Sequence, residues 1–99
     1  MLHTVNKSPF ERNALETCLR YGKAGSVILL IEDGVYGAIN GTRFAPQLEK
    51  ILGTISVYAL QPDVEARGIQ DRIMDGVKLV DYNGFVDLVV EHSPVMAWL

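Results

Sequence analysis

Two apolar runs near the middle of the chain constrain its fold more than any other feature. VILLI at 27–31 and ISVYAL at 55–60 place apolar side chains at both odd and even positions. A strand of this kind is buried on both faces, as in a mainly parallel sheet with helices on each side. Helical patterns alternate with the strand patterns along the chain, which is typical of βαβ units. The sequence therefore predicts an α/β fold with an open, layered, mainly parallel sheet covered by helices on both faces.

The size of the chain fits one such unit. Its 99 residues are enough to bury roughly two thirds of the chain surface but too few for two independent cores. Apolar residues make up 48% and charged residues 21% of the chain, which is the profile of a globular fold. We therefore expect a single small domain over residues 1–99.

Charge and hydropathy exclude several classes of partner. The net charge is −3 and the basic residues are scattered, so we expect no direct nucleic-acid binding. The longest wholly apolar run is far shorter than the roughly 20 residues that cross a bilayer, so we expect no membrane span. One cysteine cannot form an internal disulfide, and no secretory signal pattern begins the chain. The sequence therefore predicts a cytoplasmic location.

The only cysteine lies in the segment SPFERNALETCLRY at 8–21. Ser8 and Glu11 have the spacing of a capping box, and Pro9 suits the first helical position, so a helix is predicted to begin here. At about 100° per residue, Cys18 falls near the middle of the apolar half of this helix. Burial is the usual state of such a cysteine, and no local cation or helix N-terminus activates it. Two alternatives stay open: the apolar half packs on the sheet, or it faces a partner chain.

The histidines and turns supply a second set of candidates. His3 in the first strand is predicted to be a structural histidine, with a ligand or catalytic role as the alternative. His92 is predicted at a helix C-terminus, where a partial positive charge suits the helix dipole. The two histidines and the single cysteine do not form a spaced metal-binding motif, so no metal site is expected.

Residues after two predicted strands lie where an open α/β sheet often binds ligands. Asp33 and Gly34 either shape such a site or form a turn, with Gly34 in an unusual backbone conformation and Asp33 bonded to local backbone. Asp63 is predicted in the first turn of a short helix that ends at Gly68. The chain has no Gly-rich phosphate loop and no nucleophile elbow, so nucleotide chemistry and triad hydrolysis lack support.

The tail SPVMAWL at 93–99 ends the chain with large apolar side chains. One interpretation is a short edge strand that packs Trp98 on its own domain. The alternative is that Met96 and Trp98 contact a neighbouring subunit, since both residue types are common in interface cores.

Four stretches of the sequence carry a resemblance that covers essentially the whole chain. They are LHTVNKSPFERNALETCL, ILLIEDGVYGAINGTR, VYALQPDVEARG and VKLVDYNGFVDLVVEHSPVMAWL. Together they resemble the DsrH/TusB family of sulfur-relay proteins. The chain is most similar to the DsrH branch, found in bacteria that carry out dissimilatory sulfur oxidation, because Cys18 matches the cysteine of that branch. The TusB branch, which serves tRNA thiolation, typically does without it.

The resemblance implies a small Rossmann-like fold and an assembly. DsrH-like chains join DsrE-like and DsrF-like partners in a heterohexamer with two copies of each subunit, which passes sulfur to a DsrC/TusE-like acceptor. The principal persulfide cysteine belongs to the DsrE-like subunit, so the enzymatic role of this chain itself stays open. The resemblance implies no metal or organic cofactor, and it leaves Cys18 as a candidate secondary persulfide carrier.

Two main functions follow. The leading hypothesis is a DsrH-like subunit, mainly structural, of a DsrEFH-type sulfurtransferase that relays persulfide sulfur to a DsrC-like acceptor during dissimilatory sulfur oxidation. The alternative is a TusB-like non-catalytic subunit of a relay for 2-thiolation of the tRNA wobble uridine. A standalone binding module that forms homo-oligomers ranks third.

Overall fold

The computed structural model describes residues 1–9, 15, 17–18, 25–92 and 94–98. Of the predicted helix at 8–21, only Leu15, Thr17 and Cys18 are described as helical, and the capping box through Glu11 lies outside the described residues. The strands are β1 Leu2–Val5, β2 Val27–Leu30, β3 Ser56–Leu60, β4 Lys78–Val80 and β5 Val95–Trp98. The α-helices are α1 Ala45–Ile51, α2 Gln61–Ala66 and α3 Tyr82–Glu91, and 3-10 helices span Glu32–Ala38 and Gln70–Arg72.

The strands form one sheet in the order β4-β3-β2-β1-β5, and every described strand pair is parallel. The chain moves outward in one direction from β1 to β4 and then returns to place β5 on the other side of β1. Because parallel crossovers are right-handed, the described outward helices α1 and α2 lie on one face of the sheet and the returning helix α3 lies on the other. This confirms the predicted α/β fold with a parallel sheet covered on both faces.

Both faces of the sheet carry an apolar core, as the unbroken apolar run in β2 predicts. On the first face, alternate strand residues such as Ile28 and Leu30 pack with Leu48 of α1 and Val64 of α2. On the second face, Leu2, Val27 and Leu29 pack with Leu88, Phe85 and Val89 of α3. Each fully buried aliphatic side chain of β2 stabilises the fold by roughly 1.5–3 kcal/mol relative to an exposed one.

Local signals set the helix boundaries. Asp81 caps α3, since its side chain accepts a hydrogen bond from the Gly84 N–H at 2.8 Å, and His92 is the C-cap of the same helix. Asp63 lies in the first turn of α2, and Gly68 follows that helix with a φ of +64°. These positions confirm the helix ends predicted for His92, Asp63 and Gly68. Among the described residues, no helix is long and apolar enough to span a membrane.

Candidate functional site

Cys18, the sequence's candidate for sulfur chemistry, is completely buried in the first-face core. It belongs to the same apolar cluster as Leu15 and the β-strand residues Val5 and Ile28. The loss of solvent around the thiol raises the pKa of Cys18 to about 11, because burial disfavours the charged thiolate. In this conformation the sulfur is neither ionised at neutral pH nor reachable by a second sulfur atom. Its role as a persulfide carrier remains a prediction.

The chain leaves β2 at the carboxyl edge of the sheet through the 3-10 helix Glu32–Ala38, where the sequence suggests a turn. Gly34 is required there by a close approach between backbones: a Cβ at this position would overlap the carbonyl oxygen of Val5. The predicted reason was an unusual backbone conformation, and this is wrong, since Gly34 is not among the residues of positive φ. The residue of unusual conformation is its neighbour Glu32, with a φ of +48°.

Asp33 forms an ion pair with Arg67, which lies just beyond α2. The Nη2 and Nε atoms of Arg67 donate to Asp33 Oδ1 at 2.8 and 3.0 Å, and Nη1 donates to the backbone oxygen of Asp63 at 3.1 Å. The hydrogen bond from Arg67 to Asp33 raises the pKa of the arginine, against a smaller opposing effect of burial. The prediction that a turn-forming Asp33 bonds local backbone is therefore wrong, because its partner is 34 residues away.

Asp63 completes this arrangement, which we call the edge cluster: Glu32, Asp33, Asp63 and Arg67. The Glu32 N–H donates to Asp63 Oδ2 at 2.7 Å. This hydrogen bond helps to hold Glu32 in its left-handed backbone conformation, which costs roughly 1–2 kcal/mol. The cluster ties the end of β2 to α2 and contains no thiol, hydroxyl or imidazole side chain. Among the described residues, no three His, Cys, Asp or Glu side chains are grouped to hold a metal ion.

Sequence reasoning found Asp33 and Asp63 but missed Arg67 and the link between them. The sequence contains only an indirect signal for the contact between Asp33 and Arg67. Neighbouring parallel strands end at the same edge of a sheet, so residues after β2 and after β3 lie close once β2 and β3 are known to be neighbours.

His3 and Trp98 join the first and last strands on the first face of the sheet. The Trp98 Nε1–H donates to His3 Nδ1 at 3.1 Å, so His3 is neutral here with its proton on Nε2. Burial lowers the pKa of His3 below its ordinary value, and the positive α-amino group of Met1 lowers it further. This arrangement agrees with a structural histidine. Trp98 packs on its own domain, whereas Met96 is 43% exposed.

Comparison with known proteins decides the family. The model of the family described as "DsrH like protein" matches residues 7–95 of the chain. The chain belongs to the DsrH-like family. This confirms the resemblance on which the functional hypotheses depend.

The curated relatives of this DsrH-like chain carry the name of one branch. It is 41% identical over 98 residues to "Protein TusB" of Pectobacterium parmentieri, covering 99% of this chain and all of that protein. The identity and coverage are the same for "Protein TusB" of Escherichia coli O81. These relatives therefore carry the name of the TusB branch, which the sequence analysis gave as the alternative to the DsrH branch.

Solved structures show the same fold. The crystal structure of the ychN protein of Escherichia coli has a TM-score of 0.82 at 17% identity and covers 97% of each chain. A protein of unknown function from Methanobacterium thermoautotrophicum has a TM-score of 0.74 at 13% identity, covering 97% of this chain and 96% of its own. At these identities the likeness establishes the α/β architecture of the DsrH-like chain and nothing about its chemistry.

Proposed function

We propose that this chain is a TusB-like subunit of a sulfur relay that supports 2-thiolation of the tRNA wobble uridine. One observation carries the proposal: proteins named TusB are 41% identical to the chain over its whole length. The competing assignment to a DsrEFH-type complex of dissimilatory sulfur oxidation rests on the presence of Cys18 alone. The relatives favour the relay for tRNA thiolation.

The setting of Cys18 supports a role in assembly. Sulfur transfer requires a thiolate to attack the outer sulfur of a persulfide, which forms a new S–S bond while the donor leaves as a thiolate. A thiol with a pKa of about 11 that is wholly enclosed by the core cannot perform this attack without a conformational change. In this proposal a DsrE-like partner therefore carries the persulfide, and the present chain acts as a structural subunit that binds its partners.

The proposed assembly contains DsrE-like and DsrF-like subunits together with this chain, as a cytoplasmic heterohexamer with two copies of each. A DsrC/TusE-like protein accepts the sulfur. Co-expression of the three subunits followed by native mass spectrometry measures this composition directly. A chain that never co-purifies with either subunit would revive the standalone homo-oligomer.

Deletion of the gene in its own host tests the function. We expect 2-thiouridine to disappear from the wobble position of its tRNAs, as measured by mass spectrometry of digested tRNA. A plasmid copy of the wild-type gene should restore it, and Cys18→Ala should restore it equally. Unchanged 2-thiouridine together with impaired oxidation of reduced sulfur would overturn the proposal in favour of the DsrEFH-type complex.

Intact-mass spectrometry separates the carrier role of Cys18 from the assembly role. After the complex is loaded with persulfide sulfur, we expect the gain of about 32 Da, one sulfur atom, on the DsrE-like subunit only. A gain of the same mass on this chain, absent in Cys18→Ala, would establish Cys18 as a secondary carrier.

A further inference from the structure

The sequence contains two Asn-Gly pairs, Asn40–Gly41 and Asn83–Gly84. In such a pair the backbone nitrogen of the glycine, once deprotonated, can attack the side-chain amide carbon of the asparagine, because glycine has no Cβ to hinder the approach. A C–N bond forms and closes a succinimide ring while the Cγ–Nδ2 bond breaks, and the amide nitrogen leaves as ammonia with the proton that the glycine lost. Water then opens the ring to aspartate or isoaspartate, and nothing is oxidised or reduced. In a folded chain the reaction requires a free glycine N–H and a backbone that can rotate into the attacking geometry.

The pair Asn40–Gly41 lies in an exposed turn that meets both requirements. The turn connects the 3-10 helix Glu32–Ala38 with α1, and both of its residues are exposed. Gly41 has a φ of +78°, and nothing lies within 4 Å of the position that a Cβ would take there. Its N–H donates no hydrogen bond to any residue that the structure describes. The attacking nitrogen is therefore open to solvent and outside any helix or strand.

The asparagine of this pair is held by its backbone more firmly than by its side chain. The Asn40 N–H donates to the Arg72 oxygen at 2.9 Å. Its Nδ2 donates to the Ile73 oxygen at 3.4 Å, which is longer than the usual range and exposed to competing water. A bond of this kind is weak, so the amide carbon of Asn40 can turn toward Gly41.

The pair Asn83–Gly84 has the same two residues in a setting that blocks the reaction. Asn83 is also exposed, but it lies in the first turn of α3. The Gly84 N–H donates to Asp81 Oδ1 at 2.8 Å, so the carboxylate of the helix cap holds the proton that the reaction must remove. Rotation of the backbone here would also break this cap and the first hydrogen bonds of the helix. The chain thus contains an open pair and a matched blocked pair.

We propose that Asn40 is a site of spontaneous deamidation in the folded chain and that Asn83 is protected. The reaction needs only this chain and water, so the proposal is independent of the sulfur relay. It adds one negative charge to a chain whose net charge is −3.

The product loosens a short antiparallel pairing beside the turn. Ile39 and Ile73 form a bridge there, and the Met74 N–H donates to the Ala38 oxygen at 2.8 Å. A carboxylate at position 40 cannot donate to the Ile73 carbonyl oxygen, and isoaspartate adds one carbon atom to the backbone next to the bridge. Hydrogen exchange of the Met74 N–H should therefore be faster in the deamidated chain than in the fresh chain. An unchanged exchange rate would overturn this loosening.

Peptide mapping by mass spectrometry tests the modification in the full chain. Trypsin places the two Asn-Gly pairs on separate peptides, residues 24–43 and 79–99, and neither peptide contains another Asn or Gln. After incubation of the folded chain at mildly alkaline pH, the first peptide should gain about 1 Da roughly fivefold faster than the second, or more. An unincubated sample corrects for deamidation during digestion. In concentrated guanidinium chloride the two peptides should gain mass at similar rates, because both pairs are then free.

Removal of the helix cap gives a test in the opposite direction. Asp81→Ala frees the Gly84 N–H and should raise deamidation at Asn83 severalfold, while the rate at Asn40 stays within about twofold of wild type. Circular dichroism establishes that the variant is folded. Equal rates at Asn40 and Asn83 in the folded wild-type chain would overturn the proposal. So would a folded chain that gains no mass at Asn40 under conditions in which the unfolded chain does.

Discussion

The reactivity of Cys18 is the property in which the two hypotheses for the sequence differ most. In the native chain we expect a soluble disulfide reagent to modify this thiol at least about 100-fold more slowly than in the unfolded chain. Two parallel routes lead to modification, and the structure limits each of them. In the closed state burial raises the thiol pKa from an ordinary value of 9.0 to about 11, which lowers the thiolate fraction on the order of 100-fold at neutral pH; the lack of access to the sulfur slows this route further.

The second route requires the core to open first, because Cys18 has no exposed surface. A local opening that costs about 3 kcal/mol exposes the thiol for roughly 0.6% of the time, and reaction then proceeds at the rate of an ordinary cysteine. This route also slows modification on the order of 100-fold. The two factors do not multiply, since an opened thiol regains its ordinary pKa.

Ellman's reagent measures the rate directly, since the chain has one cysteine and the full signal corresponds to one thiol. The reaction is compared at neutral pH in buffer and in concentrated guanidinium chloride, with Cys18→Ala as the blank. A native rate within about tenfold of the unfolded rate would refute the reasoning. A native rate that rises when the partner subunits are added would show that assembly exposes Cys18, and the carrier role would regain support.

Three further outcomes are expected from the isolated chain. Gly34→Ala should destabilise the fold by several kcal/mol through backbone overlap, whereas Gly53→Ala, where a Cβ meets nothing within 4 Å, should stay within about 1 kcal/mol; denaturant melts measure both. Asp33→Asn should cost less than about 1 kcal/mol in the same melts, because that carboxylate is 48% exposed and exposed ion pairs contribute little. Because the pKa of His3 is lower in the folded chain than in the unfolded chain, the unfolded chain binds more protons. The contribution of His3 to stability is therefore complete at a pH above its ordinary pKa and is lost as the pH falls through its folded-state pKa. Fluorescence of the single tryptophan, Trp98, should report this loss, and a His3→Gln variant should flatten the acid limb of the pH profile.

Much of the fold follows from local patterns in the sequence. The unbroken apolar run of β2 predicts a strand buried on both faces, and both faces are indeed covered. Turn and cap residues such as Asp63, Gly68 and His92 mark helix ends that the structure confirms. These features are predictable because each depends on residues within one or two helical turns of one another.

The candidate site depends on contacts that no local pattern describes. Asp33 and Arg67 are 34 residues apart, and His3 and Trp98 are 95 residues apart. Either pair could be inferred only by knowing that β2 neighbours β3 and that β5 returns to pair with β1. Sequence alone therefore placed Asp33 and Asp63 directly after strands but assigned the wrong partner to Asp33 and the wrong reason to Gly34.

The sequence by itself determined the class of fold, the family and the position of the only cysteine on an apolar helix face. Only the tertiary structure decided that this cysteine is buried in the core and that Tyr82, Val86 and Val90 of α3 are exposed. The physical reason is the same in both cases. Periodicity shows which residues are apolar, but the order of the strands decides which of those side chains the fold buries and which stay exposed.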